Sequence, residues 1–132
     1  MSVEVAFQPN DSDYIDGSRE VVIEWMNDAL AGESPCYAHI WYGSVSSESP
    51  LLSFACFPGV GVYLSFNLRG RARVLVDSSD YSELHPIEWG QDSVLIPRAH
   101  ITGQPTAERI LNRFCGSGTV GNDCRWERAE LS

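Results

Sequence analysis

"CYAHIWYGSVSSESPLLSFACFPGVGVYLSFNLRGRARVLV", residues 36–76, decides the fold. Four runs within it, CYAHIWY (36–42), LLSFACF (51–57), VGVYLSFNL (60–68) and RARVLV (71–76), are dense in β-branched and aromatic side chains. Between them stand GSVSSESP, PG and RG, whose Gly, Pro and Ser residues form loops and tight turns. Links this short cannot carry a crossover, so the runs are expected to pair as consecutive antiparallel strands, a meander.

Moving toward the N-terminus, Val22, Trp25, Met26 and Ala29 recur at i, i+3, i+4 and i+7. That spacing predicts a helix over 19–31, with Asp16 or Ser18 as its cap, Gly32 closing it, and Glu20, Glu24 and Asp28 on the far face. VEVAFQ (3–8) alternates as a short strand. Toward the C-terminus, SVLIP (93–97) is a further strand. Pro105 then opens a second helix on which Ala107, Ile110, Leu111, Phe114 and Cys115 share one face, ended by Gly116 and Gly118. CRWERAE (124–130) alternates as a last strand. The order predicts an α+β fold: an antiparallel meander with an N-terminal and a C-terminal helix packed on it, in a single domain over 1–132.

Composition narrows the function. Apolar residues make up 43% of the 132, enough for a folded core. Eighteen acids against nine bases leave a net charge of −9. Such a field repels phosphate, so nucleic acid and anionic membrane are poor direct partners, and self-association is opposed, which favours a monomer. No apolar run approaches ~18 residues, and the N-terminus lacks a secretory signal's basic and apolar regions, so a cytoplasmic protein is expected. Cys36, Cys56, Cys115 and Cys124 form no C-x-x-C pair and read as reduced, buried small residues, although Cys115 and Cys124 could meet in space.

Chemistry-bearing motifs are scarce. His39, His85 and His100 stand far apart, none at metal-ligand spacing, so no metal site is expected. The "GVG" at 59–61 reads as a hairpin turn rather than a phosphate loop. Ser79 and Cys56 have no neighbouring base, so neither reads as a nucleophile. Glu20 and Glu24 stand one turn apart on the solvent-facing side of the N-terminal helix and read as a solvated pair rather than an acid–base site. Arg69, Arg71 and Arg73 project from one strand, either to grip an anion or to blunt a sheet edge. No catalytic residue and no cofactor is expected. The alternative is a small ligand-binding or enzymatic domain with a pocket between sheet and helices, built from His39, Trp41, Tyr63 and the Arg69–Arg73 run.

The most unusual segment is DSSDYSELHPIEWGQD, residues 77–92, with five acids, no Lys or Arg, and two large aromatic residues. It is expected to be a loop with one helical turn at most. Asp77, Asp80, Glu83, Glu88 and Asp92 with Tyr81 and Trp89 form either an interaction surface or a solvated loop with Trp89 tucked beneath it. Asp11, Asp13, Asp16 and Glu20 form a second acidic run.

LIPRAHITGQPTAERILNRFCGSGTVGNDCRWE, near the C-terminus, resembles the end of the immunity protein family Imm-one of bacterial polymorphic toxin systems. Shared features are a strand ending in Pro, a helix with alanines and a Phe, a Gly turn, and a strand bearing Trp. Here these are Ile96, Pro97, Ala107, Phe114, Gly118 and Trp126. The stretch TVGND departs from the family's Arg-Pro before the last strand. The resemblance implies a bacterial cytoplasmic antidote, not an enzyme, that caps a cognate toxin domain one to one. In that family the toxin is often a nuclease or a nucleic-acid deaminase, enzymes that bind polyanions and so tend to carry basic clefts. On that implication the residues of 77–92 would meet the cleft, carboxylates against cations, with Tyr81 and Trp89 as anchors.

Overall fold

The computed structural model describes residues 5–10 and 12–128. In chain order the elements are β1 (Val5–Pro9), β2 (Ile15–Gly17), α1 (Arg19–Leu30), β3 (Cys36–Tyr42), β4 (Leu51–Phe57), β5 (Gly61–Leu68) and β6 (Arg71–Leu75). There follow β7 (Leu84–Trp89), β8 (Asp92–Pro97), a 3-10 turn at Arg98–His100, β9 (Ile101–Thr102), α2 (Gln104–Ser117) and β10 (Trp126–Arg128). The main sheet runs β10-β6-β5-β4-β3-β1-β2, with β9 added beside β5, and every pairing is antiparallel. Its centre, β3 to β6, is the expected meander. The fold is α+β, with one helix before the meander and one after it.

Strand alternation gives the sheet two apolar faces. Ala38 and Ile40, Leu52, Phe54 and Cys56, and Val62 and Leu64 point to one side, where they meet Val22 and Met26 of α1 and Ala107, Ile110, Leu111 and Phe114 of α2. These side chains are almost fully buried, each contributing roughly 1.5–3 kcal/mol for the larger aliphatics. Trp25 wedges edge-on between Phe7 (5.8 Å) and Phe54 (5.7 Å), fixing α1 across the sheet. Residues 37, 55, 57 and 63 point the other way, into a second and smaller core with Ile87, Ile96 and Ile101. A separate two-stranded hairpin, β7–β8, covers that second face.

Local chemistry explains most boundaries. Ser18, not Asp16, caps α1, its Oγ accepting from the Val21 N–H at 3.4 Å. The helix stops at Leu30, and Gly32 plays no left-handed role there: Ala31 caps it in the right-handed region. Pro105 stands in the first turn of α2 as expected, and Gly118 ends the helix at φ 73°, donating its N–H to Phe114 O at 2.8 Å. Gly116 lies inside that helix rather than ending it. Gly61 is required by close approach, since a Cβ there would sit 2.3 Å from the Thr102 carbonyl oxygen of β9.

Three features depart from expectation. The acidic segment is not a loop throughout: from Leu84 it is strand β7, paired through a two-residue turn to β8, with Gly90 at φ 64° in the position that such turns reserve for glycine. Short strands β2 and β9 were not anticipated either. The last strand spans only 126–128, and residues 3, 4, 11, 129 and 130 of the expected segments lie outside the described residues.

Candidate functional site

The segment 77–92 divides at Leu84. Its first half is stitched to the 3-10 turn by backbone hydrogen bonds: Asp77 N–H to Ala99 O (2.7 Å), Ala99 N–H to Asp80 O (2.8 Å) and Arg98 N–H to Glu83 O (2.8 Å). This part is therefore held as firmly as a ladder, although its side chains face water. Its second half is the hairpin, whose register Leu84↔Pro97, His85↔Ile96, Pro86↔Leu95, Ile87↔Val94, Glu88↔Ser93 and Trp89↔Asp92 assigns each side chain to a face. His85, Ile87 and Trp89 turn inward to the second core. Leu84, Pro86 and Glu88 turn outward.

Each carboxylate has a distinct surrounding. Asp77 Oδ1 accepts from Thr102 Oγ1 at 3.1 Å. Asp80 Oδ1 accepts from Ser82 Oγ (2.9 Å), Ser82 N–H (3.0 Å) and Glu83 N–H (3.1 Å). The Ser82 hydroxyl first, then the two backbone donors, hold its carboxyl below the ordinary range. Glu83 Oε2 lies 2.9 Å from His85 Nε2 and 4.0 Å from Arg98 Nε. Glu88 Oε1 accepts from Ser93 Oγ at 2.9 Å. Asp92 is exposed at the hairpin tip. Of these five carboxylates, only Glu83 has a cationic neighbour within ion-pair range among the described residues. Asp123 shows the contrast: beside α2 it is paired with both Arg109 and Arg113.

The two aromatic residues separate. Tyr81 is half exposed, its hydroxyl 3.4 Å from Glu127 Oε2 and its ring edge-on to His100 at 5.6 Å. Trp89 is committed inward. It stacks on Tyr37 with ring centres 4.8 Å apart and planes 15° apart, and it meets Tyr63 (6.0 Å) edge-on and His39 (5.8 Å) at a tilt. The Tyr37 hydroxyl accepts from Gly90 N–H at 3.0 Å, so the same residue ties down both the ring and the turn. Trp89 thus clamps the hairpin to the sheet.

The residues expected to build a pocket between sheet and helices do not do so. His39, Trp41 and Tyr63 have the parity of Tyr37 and lie on the face away from the helices, where His39 Nδ1 is 2.7 Å from Ser53 Oγ. Burial raises the Tyr63 phenol above its ordinary value, partly opposed by a hydrogen bond from Ser65. Arg69 sits in the β5–β6 turn at φ 53°, so the three arginines do not share one strand. Arg73 lines a concavity of about 410 Å³ with Phe66, Trp126 and the loop after α2. Burial drives the Cys56 thiol far above its usual value, the reverse of an activated nucleophile, and all four cysteines are free thiols. Among the described residues no three His, Cys, Asp or Glu side chains come together as metal ligands, and no helix is long and apolar enough to cross a membrane.

Two surface features escaped the sequence. The outward apolar residues of the hairpin, Leu84 and Leu95, are 48% and 58% exposed. Their signal was the period-two pattern of 84–89 followed by Gly90, masked by the charges around it. Second, α1 and α2 enclose an open cleft of about 470 Å³ in which Glu20, Glu24 and Asp28 face Glu108, with Arg19 at one end. The pairing of Glu108 with the α1 acids needed the helix packing to be seen. Compared with known proteins, the chain matches no family model and no curated protein.

Proposed function

We propose that this chain is an immunity-type binding protein that neutralises a basic toxin domain, one to one, by covering its cationic surface and keeping it from a polyanionic substrate. The observation that carries this reading is the state of the carboxylates in 77–92. Four of the five, Asp77, Asp80, Glu88 and Asp92, have no cation in ion-pair range among the described residues, and the partners of Asp77, Asp80 and Glu88 are hydroxyls or backbone N–H groups. Neutral donors orient a carboxylate without cancelling its charge. The segment therefore presents an ordered negative field, and order lowers the entropy lost on binding. Opposite fields raise association by roughly 10 to 10³-fold at low salt, an advantage when the target harms its producer.

The resemblance of the C-terminal third to immunity proteins supports the same reading, and the matched positions serve as scaffold: Phe114 is buried, Gly118 caps α2, and Trp126 packs against the main core. On this reading the partner is a nucleic-acid-directed toxin such as a nuclease or deaminase, and the antidote needs no cofactor and performs no chemistry. The test is direct. The toxin encoded beside the gene is assayed with and without an equimolar amount of this protein. Loss of its activity is expected, and undiminished activity overturns the proposal.

A second reading rests on the concavity at Arg73. Its arginine and the apolar walls of Phe66 and Trp126 fit a small anionic aromatic ligand. A Trp126→Phe variant that loses a ligand-induced fluorescence change seen in the parent would favour this reading.

A further inference from the structure

The outer face of β7–β8 has no structural reason to be apolar. A two-stranded hairpin laid on a sheet buries one face and gives the other to water, where alternation favours polar side chains. Here the inner face is used as expected, by Ile87, Trp89, Val94 and Ile96. The outer face has three cross-strand rungs: Leu84–Pro97, Pro86–Leu95 and Glu88–Ser93. The first two are wholly apolar. Leu95, at 58%, is the most exposed of the large apolar side chains described. Directly opposed residues on one face lie in contact, so these four make one continuous patch. An exposed apolar patch with a polar rim is the usual mark of a docking surface.

The surroundings select the occupant. Glu83 precedes the patch, Glu88 forms the next rung, and Asp92 stands at the tip. A second copy of the chain would bring the same acids face to face, each copy carrying −9. Strand addition to β7 is also disfavoured, because Pro86 interrupts its row of N–H donors. A basic protein surface with an apolar centre satisfies both features. We propose that the rungs Leu84–Pro97 and Pro86–Leu95 are the anchor of the partner interface, and that Glu83, Glu88 and Asp92 are its charged rim. This rests on the proposed toxin-binding function and replaces Trp89, held inside by Tyr37, with Leu84 and Leu95 as the residues that enter the partner. The patch is rigid before binding, since the Tyr37 clamp and the backbone bonds to Ala99 and Arg98 hold the hairpin and its approach.

The test uses the purified full chain and the purified protein encoded beside its gene, with binding followed in real time. A Leu84→Ser/Leu95→Ser variant is expected to bind at least about 100-fold more weakly, the loss typical of two central anchors. Its melting temperature should stay close to that of the parent because both side chains are already exposed. Glu88→Lys should slow association and leave dissociation nearly unchanged. If the parent binds but the double serine variant binds equally well, the anchor lies elsewhere and the proposed function stands. If the parent itself does not bind, both proposals fall. If the parent self-associates and the serine variant does not, the patch is a homodimer surface and the assignment to a basic partner is wrong.

Discussion

Replacing Trp89 by Ala separates a clamp from a contact residue. Full truncation of a buried Trp costs about 3–5 kcal/mol, and Trp89 is half-buried, so about 2 kcal/mol is expected. Part of that is specific to the ring pair: a 4.8 Å stack at 15° belongs to a class worth roughly 0.5–1.5 kcal/mol beyond the area buried. A double-mutant cycle with Tyr37→Leu should recover that portion as coupling. Tyr37→Phe, which keeps the stack and removes the acceptor for Gly90 N–H, should cost about 1 kcal/mol. Urea unfolding followed by far-UV circular dichroism is the suitable assay, because the loss of a tryptophan would distort a fluorescence signal. A shift of about 2 kcal/mol corresponds to a melting temperature lower by roughly 6–10 °C in a chain of this size. If Trp89→Ala unfolds within about 0.5 kcal/mol of the parent, or if the cycle shows no coupling, the hairpin is not held by this stack and its rigidity has another source.

Other outcomes follow from the same geometry. Gly118→Ala should lower stability by about 2 kcal/mol or more, because the left-handed φ of 73° costs an L residue about 1–2 kcal/mol and the new Cβ would meet the Tyr42 ring at 2.7 Å; thermal melts measure it. Thiol labelling under native conditions should modify the half-buried Cys36 and Cys124 first, with Cys115, whose thiol burial pushes up to about 11, and Cys56 reacting only on unfolding; mass spectrometry after timed alkylation gives the order. Desolvation holds the His100 imidazole below its ordinary value, with Glu127 opposing. Its contribution to stability is therefore complete above the unfolded value of about 6.5 and lost as pH falls through the lower folded value. His100→Gln should flatten the stability profile between pH 7 and 5, and an NMR titration of His100 should show a midpoint below that of an exposed imidazole.

How far the fold could be read in advance depended on whether local pattern and burial agreed. In β3 to β6 they agree: β3 to β5 carry apolar residues on both faces because the sheet is covered on both, and the PG and RG turns leave no other connection. The two helices were equally plain, since Val22 with Met26, and Ile110 with Leu111 and Phe114, mark single buried stripes. The hairpin was hidden for a physical reason. Its inner residues His85, Ile87 and Trp89 alternate with Leu84, Pro86 and Glu88, but the outer set begins with apolar Leu84 and Pro86 where water should demand polarity, and the inner set begins with His85, so the contrast that would signal the period is weak. Pro86 and the neighbouring acids then argue for loop. The strands β2 and β9 span only three and two residues and exist because longer neighbours offer them an edge. For the candidate site, the charge of 77–92 was legible and its geometry was not. Nothing in the order of residues tells that Trp89 finds Tyr37, a partner 52 positions away, or that Glu108 closes a cleft with the acids of α1.

Two acidic surfaces lie on different elements, and the proposed function assigns a basic partner to one of them: the hairpin with its apolar rungs rather than the cleft between the helices. Hydrogen exchange of the protein alone and saturated with the protein encoded beside its gene decides between them. Slowed exchange confined to residues 77–97, with α1 and α2 unchanged, is the predicted footprint. Protection over Glu20–Asp28 and Glu108, with the hairpin exchanging as before, would contradict the account.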